Sequence, residues 1–229
     1  MEEFHFQNCG AILIGFIVSI VLIRLSYVLY WSGRPIRTAS QRVSTLIVLG
    51  SGGHTAEMLS IVNALEKERF VPRIYIAAGT DNMSLQKARV LEESLIQKGE
   101  ISSNKNMKEA AYFKQIYRSR EVGQSYLTSI YTTLVAILHA LWLMLQFRPE
   151  VIICNGPGTC IPICLVAFIF KVVGVRWSSI FYIESIARVK RLSLSGFLLY
   201  KLHLADQFYA QWPQLQMEYQ KAHYVGCLM

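Results

Sequence analysis

The chain has 229 residues, 53% hydrophobic and 17% charged, with 23 basic against 15 acidic side chains for a formal net charge of +8. That composition excludes a disordered or collagen-like chain, and the mean hydropathy of +0.33 leans toward membrane association. The positive balance suits anionic partners such as phosphates or acidic lipid headgroups; nucleic acid is disfavoured, because the basic residues form no stripe interleaved with aromatics.

Five cysteines (Cys9, Cys154, Cys160, Cys164, Cys227) form no CxxC pair. Neither a disulfide framework nor a zinc site is indicated, so a reducing compartment is expected, with no metal and no cofactor.

Residues 9–31 are apolar apart from Arg24 and a few small polar groups. As a helix they reach about 34 Å, enough for a bilayer core of about 30 Å. Glu2 and Glu3 precede the segment and Arg34, Arg37 and Arg42 follow it. The positive-inside rule therefore sets residues 1–8 on the far side of the membrane and puts the basic linker 32–43 and the body in the cytosol. Arg24, in the last third of the span, can snorkel to that same face. Tyr126–Phe147 and Ile161–Val175 are also apolar. The second is short for a span, and crossing by the first alone conflicts with the placement of the basic residues on either side of it. Both are read as buried or membrane-facing helices, so one span is expected.

Residues 44–229 alternate strand and helix signals. Thr45–Leu49 is an unbroken apolar run, as expected of a parallel strand covered on both faces. Behind it Met58, Leu59, Val62 and Leu65 mark one face of a helix. Further strands are expected at Arg73–Ala78, Tyr112–Tyr117, Val151–Cys154, Ser178–Ile183 and Gln207–Ala210, with a charged helix at Ser84–Lys98 and a polar loop at Glu100–Glu109. This order predicts an α/β fold: a single Rossmann-like doubly wound parallel sheet, with one N-terminal transmembrane helix. Chemistry is expected beyond the carboxyl ends of the strands.

Gly50-Ser51-Gly52-Gly53-His54-Thr55 follows the first strand and opens the first helix of the body. Glycines permit a tight turn and close approach to an anion, and a helix N-terminus supplies free N–H groups. A phosphate or diphosphate is the natural ligand; the alternative is a strand–helix turn with no ligand. The nicotinamide-dinucleotide fingerprint is missing, because Thr55 stands at the third glycine position and Val71-Pro72 where an acidic residue belongs. His54 reads as a base, a phosphate donor or a cap. After the second strand Asp81 reads as a ligand contact or, in preference, as the N-cap of the next helix. Arg118-Ser119-Arg120, after the third, reads as a phosphate grip or a solvated loop. Asn155-Gly156-Pro157-Gly158-Thr159, after the fourth, is a second glycine turn on the same edge. Glu184, after the fifth, reads as a general base or as an ion-pair partner of Arg188.

The Leu49–Leu59 string L-G-S-G-G-H-T-A-E-M-L, the N-G-P-G-T turn at Asn155 and the E-S-I-A-R segment at Glu184 together resemble one family. It is the membrane-anchoring subunit of the UDP-N-acetylglucosamine transferase of dolichol-linked oligosaccharide synthesis. The likeness extends over nearly the whole body and includes the N-terminal span. The first glycine turn also resembles, more distantly, that of the bacterial glycosyltransferase making the second lipid-linked peptidoglycan precursor.

The resemblance implies the acceptor-side half of a split GT-B glycosyltransferase, inactive alone. Such a subunit recruits a soluble UDP-N-acetylglucosamine-binding catalytic subunit to the cytosolic face of the endoplasmic reticulum membrane. Together they add the second N-acetylglucosamine to N-acetylglucosaminyl-diphospho-dolichol for protein N-glycosylation, with inversion at the anomeric carbon. His54 and Glu184 are then the candidates for proton transfer. Gly50, Ser51, Gly52, Gly53, Thr55, Asn155, Gly156, Gly158 and Thr159 are the candidates for the acceptor diphosphate. The uncharged tail Tyr224, Val225, Gly226, Cys227, Leu228 and Met229 is the candidate docking surface, with an added edge strand as the alternative. Two further readings stand beside this one: a pure scaffold without catalytic residues, and a membrane-tethered nicotinamide oxidoreductase.

Overall fold

The computed structural model describes residues 2–33, 42–98, 111–119 and 125–227; the expected loop at 100–109 and most of the linker 32–43 lie outside them. Helix α1 (Glu2–Trp31) leads into β1 (Thr45–Val48), α2 (Gly53–Ala64), β2 (Arg73–Ala78), α3 (Asn82–Gln97) and β3 (Ala111–Ile116). The second half carries α4 (Tyr126–Phe147), β4 (Val151–Asn155), α5 (Cys160–Val173), β5 (Ser179–Ile183) and α6 (Leu194–Lys201). It ends with β6 (Gln207–Ala210), α7 (Pro213–Glu218) and β7 (His223–Tyr224).

The strands form one sheet in the order β3-β2-β1-β4-β5-β6-β7, and every neighbouring pair is parallel. The six expected strands appear within a residue or two of their anticipated bounds. The seventh is the tail: Tyr209 pairs with His223 and Ala210 with Tyr224, so the edge-strand alternative describes its backbone. Tyr224 and Val225 nevertheless stay exposed.

Strand side chains alternate between two cores. Leu46, Val48, Ile74, Ile76, Ile152 and Cys154 pack under α4, α5, α6 and α7. Ile47, Leu49, Tyr75, Ala77 and Ile153 pack under α2 and α3. Burial on both faces is why the central strands read as continuous apolar runs. Within the α3 layer Arg73 grips Glu92 with two nitrogens, Nε–Oε1 2.6 Å and Nη2–Oε2 2.7 Å. Tyr75 Oη donates to the same carboxylate at 2.6 Å.

Both α1 and α4 contain stretches long and apolar enough to cross a membrane by length and composition. They differ in what they bury. α4 packs Ala136, Ala140, Leu143 and Met144 against the body and turns Ile130, Leu134, Leu138 and Trp142 outward, so it is apolar on both its covered and its bare face. Among its described side chains, α1 is bare from Ile12 to Ile23 and meets the body through its last turns. There Arg24 donates to the carbonyls of Val172 (Nε, 3.1 Å) and Lys171 (Nη2, 3.0 Å), closing the C-terminus of α5. Arg24 is therefore a cap as well as a residue near the end of the span. Gly174, at φ +85°, leaves the space this needs, since a Cβ there would lie 2.9 Å from Arg24 Nη2. Tyr27 meets Trp177 edge-on at 6.2 Å, and Ser32 Oγ donates to Asp206 Oδ1 at 2.6 Å. Asp206 also pairs with the buried Lys171 and accepts from Ile180 N–H at 2.7 Å.

Candidate functional site

The chain winds outward from β1 in one direction through β2 and β3 and in the other from β4 onward. The switch point lies between β1 and β4, where ligands of open α/β sheets bind. A cavity of about 280 Å³ sits there, lined by Gly50, Ser51 and His54 from the first glycine turn and by Gly156, Pro157, Gly158 and Thr159 from the second. The two turns thus form one crevice.

Their approach is close. An added Cβ at Gly50 would lie 2.7 Å from His54 Cβ and 3.0 Å from Pro157 Cβ, and one at Gly156 would lie 2.6 Å from His54 Cε1. Gly52 and Gly156 have φ of +63° and +68°, conformations that favour glycine. By contrast a Cβ at Gly52 or Gly53 meets nothing within 4 Å; these two face open space.

Helix starts differ in how they are closed. α3, α4 and α6 are capped by the side chains of Asp81, Ser125 and Ser193. α2 and α5, beginning at the two glycine turns, have no side-chain cap, and α7, away from the cavity, also lacks one. Two helix N-termini without a side-chain cap converge on one cavity, and their dipoles suit an anion, although the first two N–H groups of α5 turn back onto the carbonyls of Pro157 (3.0 Å) and Gly158 (3.2 Å). Arg118 adds a positive charge to the wall and reaches Thr80 Oγ1 at 3.4 Å. Asp81 also lines the cavity, but its carboxylate is engaged by Ser84 N–H (3.1 Å) and Ser84 Oγ (2.6 Å).

The candidate residues occupy distinct places. Gly50, Ser51, His54, Gly156, Gly158 and Thr159 line the cavity. Thr55 is buried, donates to the Gly50 carbonyl and lies 2.6 Å from Ser84 Oγ, tying the turn to α3. Asn155 is also buried: its Oδ1 lies 3.0 Å from His54 Nδ1, and its Nδ2 donates to Glu57 Oε2 at 2.9 Å. Glu184 is fully buried and is not among the residues lining the cavity. Its Oε2 accepts from Ser193 N–H (2.9 Å) and Oγ (3.0 Å), its Oε1 from Ser185 N–H (3.1 Å). Burial pushes its carboxyl above the ordinary value, against the opposing pull of these hydrogen bonds. Arg188 is exposed and lies beyond direct ion-pair distance of it. The tail sits at the far edge of the sheet, with Tyr224, Val225 and Cys227 exposed and Gly226 between them; Leu228 and Met229 lie outside the described residues.

Burial raises the thiols of Cys154 and Cys160 as well, which leaves them poor nucleophiles. The residues that sequence reasoning missed are Glu57, Ser185 and Gln211. Glu57 sits one helical turn after His54 at 4% exposure. Its one sequence signal is a charged residue on the face of α2 that also carries Met58 and Ile61.

The family model described as "Oligosaccharide biosynthesis protein Alg14 like" matches residues 45–228. The chain is 41% identical over 212 residues to a rat protein called "UDP-N-acetylglucosamine transferase subunit ALG14", covering 93% of this chain and 94% of that one. A protein of the same name from Yarrowia lipolytica is 38% identical, covering 93% and 95%, and the human one 40% identical, covering 82% and 84%. Among solved structures, MurG of Acinetobacter baumannii superposes on 75% of this chain and 42% of its own at 15% identity and a TM-score of 0.48. That likeness is too distant to carry an argument, and the fold rests on the strand order itself.

Proposed function

The chain belongs to the Alg14-like oligosaccharide biosynthesis family, and from that premise we propose that it is the acceptor-side subunit of a UDP-N-acetylglucosamine transferase. Its reaction adds the second N-acetylglucosamine to N-acetylglucosaminyl-diphospho-dolichol. The observation that carries the reading is the pair of uncapped helix N-termini meeting at the two glycine turns, a cradle for the acceptor diphosphate.

The donor site is assigned in this reading to a second, soluble subunit; the relatives' names call them subunits of a transferase. The exposed side chains of the β7 edge are the proposed docking surface. The apolar N-terminal helix is compatible with membrane anchoring. With Arg34, Arg37 and Arg42 after it, the proposed topology is lumenal N-terminus, single span and cytosolic body at the endoplasmic reticulum.

In this reading the acceptor hydroxyl attacks the anomeric carbon of the donor sugar on the face opposite UDP, and configuration inverts. His54, on the cavity wall, takes the hydroxyl proton. Arg118, the first N–H groups of α2 and the Gly156–Thr159 turn hold the acceptor diphosphate. Glu184, shut away under Ser185 and Ser193, holds the loop that ends at α6.

The test is co-expression of the full chain with its soluble partner, followed by transfer from UDP-N-acetylglucosamine to a phytanyl-diphosphate-linked N-acetylglucosamine. Transfer is expected from the pair and not from the chain alone. A His54→Ala chain that binds the partner but does not turn over supports a catalytic contribution. Normal turnover in both His54→Ala and Gly52→Ala makes the chain a scaffold.

A further inference from the structure

Glu57 is the most heavily engaged carboxylate in the site, and it does not touch the cavity. Its Oε1 accepts from Ser185 Oγ at 2.7 Å. Its Oε2 accepts from Asn155 Nδ2 at 2.9 Å, Ile186 N–H at 3.2 Å and Gln211 Nε2 at 3.3 Å. These donors come from the ends of β4, β5 and β6, so one side chain of α2 gathers three neighbouring strand ends.

An ionised carboxylate only accepts hydrogen bonds. Facing Glu57, Asn155 must present its NH₂, which turns its Oδ1 toward His54 Nδ1, 3.0 Å away. An amide oxygen also only accepts, so the ring hydrogen of His54 belongs on Nδ1. The remaining nitrogen, Nε2, is left with its lone pair. We infer that Glu57 is a positioning residue which, acting through Asn155, sets the tautomer of His54.

The consequence discriminates between two roles for His54. A neutral imidazole with its lone pair on Nε2 can accept a proton from a hydroxyl, but it cannot donate a hydrogen bond from that atom to a diphosphate. The inference rests on the reading of His54 as the base. In the step, the acceptor O–H bond breaks and its proton moves to Nε2. The oxygen's electron pair forms the new bond to the anomeric carbon, and the bond from that carbon to the diphosphate oxygen breaks, its electrons leaving with UDP. The imidazolium keeps Nδ1–H on Asn155 Oδ1, and Glu57 polarises that amide in the stabilising sense.

The experiment uses the full chain in complex with its soluble partner. Glu57→Gln can donate where the carboxylate accepts, and so frees the Asn155 amide to turn over. Asn155→Leu cuts the link while leaving Glu57 its three other donors, and serves if Glu57→Gln does not fold. Both are expected to lower kcat about 10²-fold or more with KM for the acceptor little changed, while partner co-purification persists. Ring-nitrogen NMR of histidine-labelled chain, with the His54 signal assigned by its loss in His54→Gln, is the readout independent of turnover. The Nδ1–H form is expected in wild type and its loss in Glu57→Gln. An Nε2–H form in wild type overturns the inference, as does an unchanged tautomer in folded Glu57→Gln and Asn155→Leu. Should His54→Gln keep normal turnover, the base reading fails while the tautomer shift still upholds the role of Glu57.

Discussion

The imidazole of His54 lies against the α-carbon of Gly156, so close that a methyl group there would stand 2.6 Å from Cε1 and 2.9 Å from Nδ1. Gly156→Ala therefore pushes the ring off Asn155 as well as straining a backbone at φ +68°. Transfer is expected to fall by about 10²-fold or more, with the partner still bound. Steady-state kinetics of the co-purified complex checks this, and a loss confined to KM would show that the ring has kept its place.

The neighbouring glycines separate backbone strain from ligand contact. Gly53 is a helical residue with open space before it, so Gly53→Ala should unfold at the wild-type temperature yet raise KM for the acceptor. Gly52→Ala has the same space but φ +63° and ψ −120°, and loses stability by about 1–3 kcal/mol as well as acceptor affinity. Thermal unfolding alongside acceptor titration distinguishes the two.

Arg73 and Glu92 are buried together, at 2% and 0% side-chain exposure. Glu92→Gln leaves the Arg73 charge uncompensated, and a loss of about 3–5 kcal/mol is expected. Arg73→Lys gives up the two-nitrogen grip and costs less. Denaturant unfolding of the full chain measures both, with little change expected in KM for residual folded protein.

Glu184 carries a pH signature. Its folded carboxyl is raised by burial, so between the ordinary carboxylate range and the raised value the folded state holds a proton that the unfolded state has released. Stability from this group is present below that window and is lost as pH rises through it. The stability difference, wild type minus Glu184→Gln, should therefore shrink as pH rises from about 4 toward neutrality. A flat difference across that range would place the proton elsewhere.

Deleting residues 226–229 leaves the Tyr209–His223 and Ala210–Tyr224 pairing intact but removes the segment beyond the open sheet edge. The chain should remain folded and membrane-bound while the soluble subunit stays in the cytosolic fraction. Undiminished co-purification would move the docking surface off the tail.

Much of this architecture is legible in the residues. The apolar runs at Thr45 and Val151 are continuous because both faces of those strands are covered, and each is followed by a glycine turn whose helix lacks a side-chain cap. Less legible is anything that depends on partners far along the chain. Glu57 meets Asn155 across 98 positions and Ser185 across 128, so nothing local announces it. A strand-end carboxylate such as Glu184 reads the same whether it enters a crevice or is roofed by a loop. The apolar content of α4 is plain, but its division into a covered and a bare face needs the body it packs against. Tyr224 reads as an exposed tail residue and is also a strand residue, because a two-residue ladder leaves too short a pattern to see.

Arg24 is bonded to the last carbonyls of α5, at the edge where the strands begin, whereas the cavity lies where they end, about 17 Å away along a five-residue strand. A helix fastened in this way acts as a mast rather than a leash. On the proposed topology it leaves the domain no swivel, so the crevice keeps one height and one tilt over the leaflet. Lipid-borne acceptors then meet it by lateral drift alone, and their reach is set by how far a diphosphate headgroup can rise from the bilayer surface. Cutting the Arg24 bonds together with the Tyr27–Trp177 and Ser32–Asp206 contacts would restore the swivel, and the cost would appear as a slower encounter with membrane-embedded acceptor and not with a detergent-dispersed one.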